Sequence, residues 1–223
     1  AHVNYKVENL NFLMYKPKDV EFLDASSPTG MRVYVRTLNM VLACAIHELY
    51  PSMDLRIEHP ISKGYYCTLQ WHSHSEDTQH NSPVVTADMV ASIKQRMRQI
   101  IAEYRPIYEE EKRTKDVLKM FASRYNNETS IFEALGNPYC RYFRMGDFID
   151  YYTNVLLPSS GYINVFDLEL FQDGMLLRIP NRENPTILED AIQQDKMFSI
   201  FCEYSRWNKL LHIHNVTDFN IAC

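Results

Sequence analysis

Three histidines close together, His72, His74 and His80, are the first residues whose type and spacing suggest chemistry. Alternation along an extended strand would put His72 and His74 on one side, as two ligands of a metal need. Their segment, HSHSEDTQHNSP, is polar and aperiodic, and nothing in it fixes a fourth ligand. His212 and His214 repeat the spacing near the end with still less around them. Asp147 and Asp150 could share acid–base work, but three apart in a strand they point to opposite faces. Lys94, Arg96 and Arg98 could meet a polyanion; with Glu109 to Glu111 nearby to cancel their charge, they read as a solvated helix face.

Glycine excludes several enzyme classes. The closest two of the six, Gly136 and Gly146, stand ten positions apart. Phosphate-binding loops, dinucleotide fingerprints and nucleophile elbows all need glycines much closer together. The five cysteines are odd in number, widely spaced and without C-x-x-C, the pattern of reduced thiols in a cytoplasmic protein. A net charge of −5 gives no electrostatic reason to expect nucleic acid as a partner. The longest apolar run, Met40 to Ile46, is far short of the roughly 18 residues of a membrane span. The start at Ala1 in place of methionine points to a piece of a longer protein.

The elements that must position these residues alternate irregularly between strands and helices. Residues 3–15 read as a hairpin turning at Glu8-Asn9, with VEFLD and MRVYV as short strands around the loop ASSPTG. Apolar residues at helical spacing from Thr37 to Tyr50 predict a helix ended by Pro51. DLRIEH and KGYYCTLQW read as strands. Thr86 is the N-cap of a helix whose stripe is Met89, Ile93, Met97, Ile100, Ile101 and Tyr104. Short helices follow near 114–124 and 128–135, the second stopped by Gly136 and Pro138. Then come YCRYFRM, DFIDYYT and a hairpin turning at Asp173-Gly174. Residues from Glu189 to Leu211 read as a helix whose bulky side includes Met197, Phe198, Phe201, Tyr204 and Trp207. The class is α+β, antiparallel sheets with flanking helices and a C-terminal helical extension.

Several blocks, in order, resemble a known family. VNYKVENL is similar to the hairpin that closes the TGS domain of threonyl-tRNA synthetases, and NMVLACAIHELYP to the first helix of their editing domain. KGYYC stands where that family has a glycine followed by aromatics, and MGDFIDYYTNVLLPSSG resembles its G-D-F-x-D-x-C-x-x-x-H-x-P-S-T block. IPNR, KMFSIFCEYSRW and VTDFN further resemble the corresponding region of uridine- or nucleoside-kinase proteins. The resemblance implies three parts: the end of a TGS-like hairpin region over 1–25, an editing-domain-like unit over 26–182, and a helical linker over 183–223. The linker would lead to a kinase domain beginning about where this chain stops. That kinase domain, a partner in the same polypeptide, would use ATP and magnesium; this chain itself would hold no cofactor. Self-association is a further expectation.

The resemblance also implies a site. The family carries H-x-x-x-H on the first helix and C-x-x-x-H after G-D-F-x-D, and histidines four apart can face one metal. Counted from Leu49-Tyr50-Pro51 and from Gly146-Asp147-Phe148, those positions fall on Arg36, Met40, Tyr152 and Leu156. Arginine repels a cation, leucine offers no donor, and methionine and neutral tyrosine are poor zinc ligands. The expectation is a degenerate editing site with no catalytic residue and no metal. Its candidate cleft is Arg36, Asp150 and Tyr152, with Arg36 paired to Asp150. The leading function is a non-catalytic accessory region of a nucleoside kinase. The alternatives are a tRNA- or nucleotide-binding module and a metal-independent aminoacyl-tRNA deacylase.

Overall fold

The computed structural model describes residues 1–71, 83–121, 136–192 and 194–210. At its centre lies helix α1, Pro28–Leu49. Ser27 caps it by accepting the Gly30 amide at 3.0 Å, and Pro28 occupies the first turn, where a missing N–H costs nothing. The helix therefore takes in MRVYV, which the sequence reading makes a strand. Val33, Tyr34 and Val35 are all buried, and consecutive buried side chains suit a helix enclosed on several faces better than a half-exposed strand. The Tyr34 hydroxyl donates to the Val165 carbonyl at 2.7 Å and accepts from the Val165 amide at 2.9 Å, so its polar end is satisfied.

Around α1 stand two antiparallel sheets. One has the order β4-β5-β10-β9, from Met53–Ile61, Gly64–Trp71, Gly174–Arg178 and Asp167–Phe171. Alternation along β5 and β10 sends Cys67, Leu69, Met175 and Leu177 into the core with α1 and sends Tyr66 and Leu176 to the opposite face. The other sheet, β6-β7-β8, comprises Tyr108–Arg113, Tyr139–Met145 and Phe148–Asp150. There Phe143 and Met145 face α1, while Cys140 and Tyr142 face helix α3, Thr114–Phe121. Helix α2, Ala87–Ala102, packs on α1 and buries Val90, Ile93, Met97 and Ile100; Thr86 caps it as expected.

The N-terminal unit is a small sheet of three two-residue strands. Strands β1 (His2–Val3), β2 (Lys6–Val7) and β3 (Val20–Glu21) form it, and the turn is Asn4-Tyr5, both at positive φ, in place of Glu8-Asn9. Strand β6 is unforeseen, its run of three glutamates hiding a β segment. Of the two short helices expected after α2, the second falls on residues outside those described, as do both histidine groups. Among the described residues no helix is long and apolar enough to cross a membrane.

Helix α4, Asp195–Leu210, covers the outer face of the first sheet. Phe198 meets Tyr66 edge-on, with ring centroids 5.1 Å apart, and Phe201 stacks on His59 at 3.9 Å. Nε2 of His59 is buried without a hydrogen-bond partner among the described residues, and burial lowers the His59 pKa against an opposing pull from Glu58. The docked form thus favours neutral imidazole. Its stabilisation is complete above the ordinary histidine value of about 6.5 and is lost as pH falls from there through the lowered docked value. Acidification is expected to speed protease cleavage of the segment before α4, and His59→Phe to remove that dependence. Equal cleavage of the parent protein at about pH 7.5 and about pH 5.5 would contradict this.

Candidate functional site

The segment after β8 is held against α1 by Thr37. This buried hydroxyl donates to the Val33 carbonyl and accepts the Leu157 amide, both at 2.9 Å. One turn of helix and one loop therefore run side by side, and Met40 and Leu156 join the same core, 0% and 2% exposed. Tyr152 is half-buried, its ring edge-on to Phe143. Its hydroxyl donates to Asp150 Oδ2 at 3.0 Å, and Asp150 Oδ1 accepts the Tyr151 amide at 2.8 Å. The structure thus brings Asp150 and Tyr152 together.

Arg36 does not join them as an ion pair. Among the described residues it makes no salt bridge, and its Nε is buried without a hydrogen-bond partner. Burial lowers its pKa, and neighbouring Arg32 lowers it further. The expected Arg36–Asp150 pair is therefore corrected. Arg36 sits two turns inside α1, not at a helix start, and the Asp150 carboxylate is hydrogen-bonded within its own stretch of chain.

The other candidates are accounted for by packing. Asp147 lies exposed in the turn between β7 and β8 while Asp150 is buried, so the two do not act as a pair. Lys94 pairs with Asp167, and Arg96 with Glu48 at 2.6 Å and Glu103 at 3.3 Å. These acids, not Glu109 to Glu111, are the partners of Lys94 and Arg96. Glu109 and Glu110 instead bond Arg141 at 3.0 Å and Arg144 at 2.6 Å across β6 and β7. Burial alone would raise the pKa of Glu48, but hydrogen bonds from Arg105 and Arg96 outweigh it and lower the value. Among the described residues no three His, Cys, Asp or Glu side chains converge on a metal position.

A cavity of about 340 Å³ opens beside Tyr152, between β6, β7 and the N-terminal unit. Glu109, Glu111, Arg141, Lys6 and Glu8 give it charged walls, while Arg36, Met40 and Asp150 do not line it. Sequence reasoning misses this cavity because it misses β6, which supplies one wall.

No family model matches the chain. The chain is homologous to threonine–tRNA ligases. It is 26% identical to that of Rubrobacter xylanophilus over 170 residues, 76% of this chain and 25% of the relative. The ligase of Ligilactobacillus salivarius is 28% identical over 162 residues, 72% of this chain and 24% of the relative. That of Natranaerobius thermophilus is 29% identical over 175 residues, 77% and 26%. The chain thus matches about a quarter of the length of these relatives. Its antiparallel sheets and packed helices fit an editing-domain-like fold.

Proposed function

We propose that this chain is an editing-type domain that no longer hydrolyses aminoacyl-tRNA. It would serve as an accessory region of a uridine-kinase-type nucleoside kinase, whose ATP and magnesium are bound by other residues. The observation carrying the first half is the donor set. At the positions where the family implies a metal stand Arg36, Met40, Tyr152 and Leu156, and two of them are sealed in the core. A zinc ion needs unprotonated nitrogen, thiolate or carboxylate donors, and these four do not fit it. A permanently charged guanidinium cannot act as a base either. The kinase half rests on IPNR, KMFSIFCEYSRW and VTDFN.

Purified protein is expected to contain no stoichiometric zinc and to leave mischarged seryl-tRNA intact. The gene is expected to encode a G-x-x-x-x-G-K-[ST] loop in the same frame. Elemental analysis near one zinc per chain, or chelator-sensitive deacylation, would overturn the non-hydrolytic reading. A synthetase core in the same frame would overturn the kinase reading. The second reading, a tRNA- or nucleotide-binding module, is separated from the first by filter binding of uncharged tRNA; the cavity beside Tyr152 does not favour it, because Glu8, Glu109 and Glu111 outnumber Lys6 and Arg141 there.

A further inference from the structure

We infer that Arg32, Arg36 and Asn39, successive positions on one face of α1, form a binding site for a phosphate monoester that carries hydroxyl groups, such as a nucleoside monophosphate. Residues three and four apart on a helix are surface neighbours, so these three side chains lie in one line. Much of the rest of the helix is sealed: Leu38, Val41, Leu42, Cys44 and Ala45 are fully buried. Along this line, Arg36 Nε and Asn39 Oδ1 are both buried, and among the described residues both lack a hydrogen-bond partner. Folded proteins seldom leave two such groups unmet on neighbouring side chains unless something else supplies the bonds.

Charge narrows what that is. Arg32 is exposed and uses only its Nε, donating to the Pro28 carbonyl at 3.2 Å. Among the described residues its terminal nitrogens have no hydrogen bond or ion pair, so it is the part of the site open to solvent. Two guanidiniums side by side repel, and burial followed by Arg32 lowers the Arg36 pKa. A dianionic phosphate monoester balances both cations and accepts from both forks, whereas a carboxylate would leave one cation unmatched. Asn39 Oδ1 can only accept, so the ligand must also bring an O–H or N–H. The spacing of neighbouring Cβ atoms, about 5–6 Å, suits a hydroxyl some bonds away from the phosphorus.

The inference rests on the non-hydrolytic reading in one respect, since a metal beside Arg36 would itself ligate the phosphate and take over the role given to the guanidinium. Zinc content and deacylation test that reading separately from the binding measured here. Calorimetric titration of the chain with uridine monophosphate, inorganic phosphate and L-serine is the experiment. Uridine monophosphate is expected to bind and phosphate to bind more weakly. Arg36→Met should weaken both by about tenfold or more, with Arg36→Lys between. Asn39→Ala should weaken the nucleotide and leave phosphate unchanged. Arg36→Met should also raise the melting temperature of the ligand-free protein, because the methionine has no N–H to satisfy. Absence of nucleotide and phosphate binding would overturn the site, as would binding indifferent to Arg36→Met. Serine bound in their place through Arg36 would overturn the phosphate assignment.

Discussion

Gly174→Val is expected to destabilise the chain by about 3 kcal/mol or more, a large share of the 5–15 kcal/mol that holds a typical domain folded. A Cβ at this position would sit 2.4 Å from the Cys67 carbonyl oxygen and 2.9 Å from the Tyr66 ring. Neither neighbour can retreat. Cys67 is fully buried on β5, and the Tyr66 hydroxyl is bonded to Asp173 while its ring holds Phe198 of α4. A branched side chain would separate β5 from β10 at the start of their pairing and loosen α4 on the far face. Gly136→Ala is the control: its φ of +61° brings strain, but none of the described residues lies within 4 Å of the added Cβ, so about 1 kcal/mol is expected. Urea midpoints of the two variants provide the check. A valine variant no less stable than the Gly136 variant would show that the sheets yield at this point.

Ser160→Ala should cost about 2–4 kcal/mol although it removes one atom, because it leaves the buried Ile100 carbonyl and the half-buried Arg105 amide without this partner. The Ser160 hydroxyl, with its residue 0% exposed, donates to the Ile100 carbonyl at 2.7 Å and accepts the Arg105 amide at 2.9 Å. Its own amide donates to the Arg105 carbonyl at 2.9 Å. The end of α2 and the loop that passes Tyr152 and Leu156 are thereby joined through one residue. Ser159→Ala serves as the comparison, since its hydroxyl accepts only the amide of Gly161, two residues on, and a loss below about 1 kcal/mol is expected. Should the two alanine variants unfold at the same denaturant concentration, the role given to Ser160 would be wrong.

That serine belongs to the LLPSSG block through which the sequence resembles synthetase editing domains, yet its bonding could not be read there. The two backbone groups it serves lie 55 and 60 positions away. What the sequence displays is chemistry confined to a few neighbours. The Thr86 cap and the apolar stripe of α2 are legible for that reason, as are strands β5 and β7. The start of α1 is misread because Val33, Tyr34 and Val35 favour strands locally, and only burial on several faces reverses the preference. The Asp-Gly pair gives the right hairpin with its turn one residue late. Gly174 pairs with Phe171, so Gln172 and Asp173 form the turn and the glycine is there for close packing. At the candidate site the positions come from the resemblance alone, and the structure adds the hydrogen bond between Tyr152 and Asp150. That Arg36 pairs with no acid among the described residues depends on where a helix starts and on what else bonds Asp150, and neither is a local property.

The order of the first sheet also bears on how quickly the chain can fold. Strand β5 reaches one neighbour, β4, through the two-residue turn Ser62-Lys63, but pairs Cys67 with Met175 on the other side. Closing the intervening stretch of roughly 100 residues carries an entropy cost on the order of 4 kcal/mol before the central pairing forms. The second sheet lies wholly inside that stretch and can assemble first, shortening the effective loop. Refolding is therefore expected to be slow for a domain of this size, with β6-β7-β8 protected from hydrogen exchange before β10 docks. Lengthening the chain within that stretch should change the rate little, because closure entropy grows only with the logarithm of length.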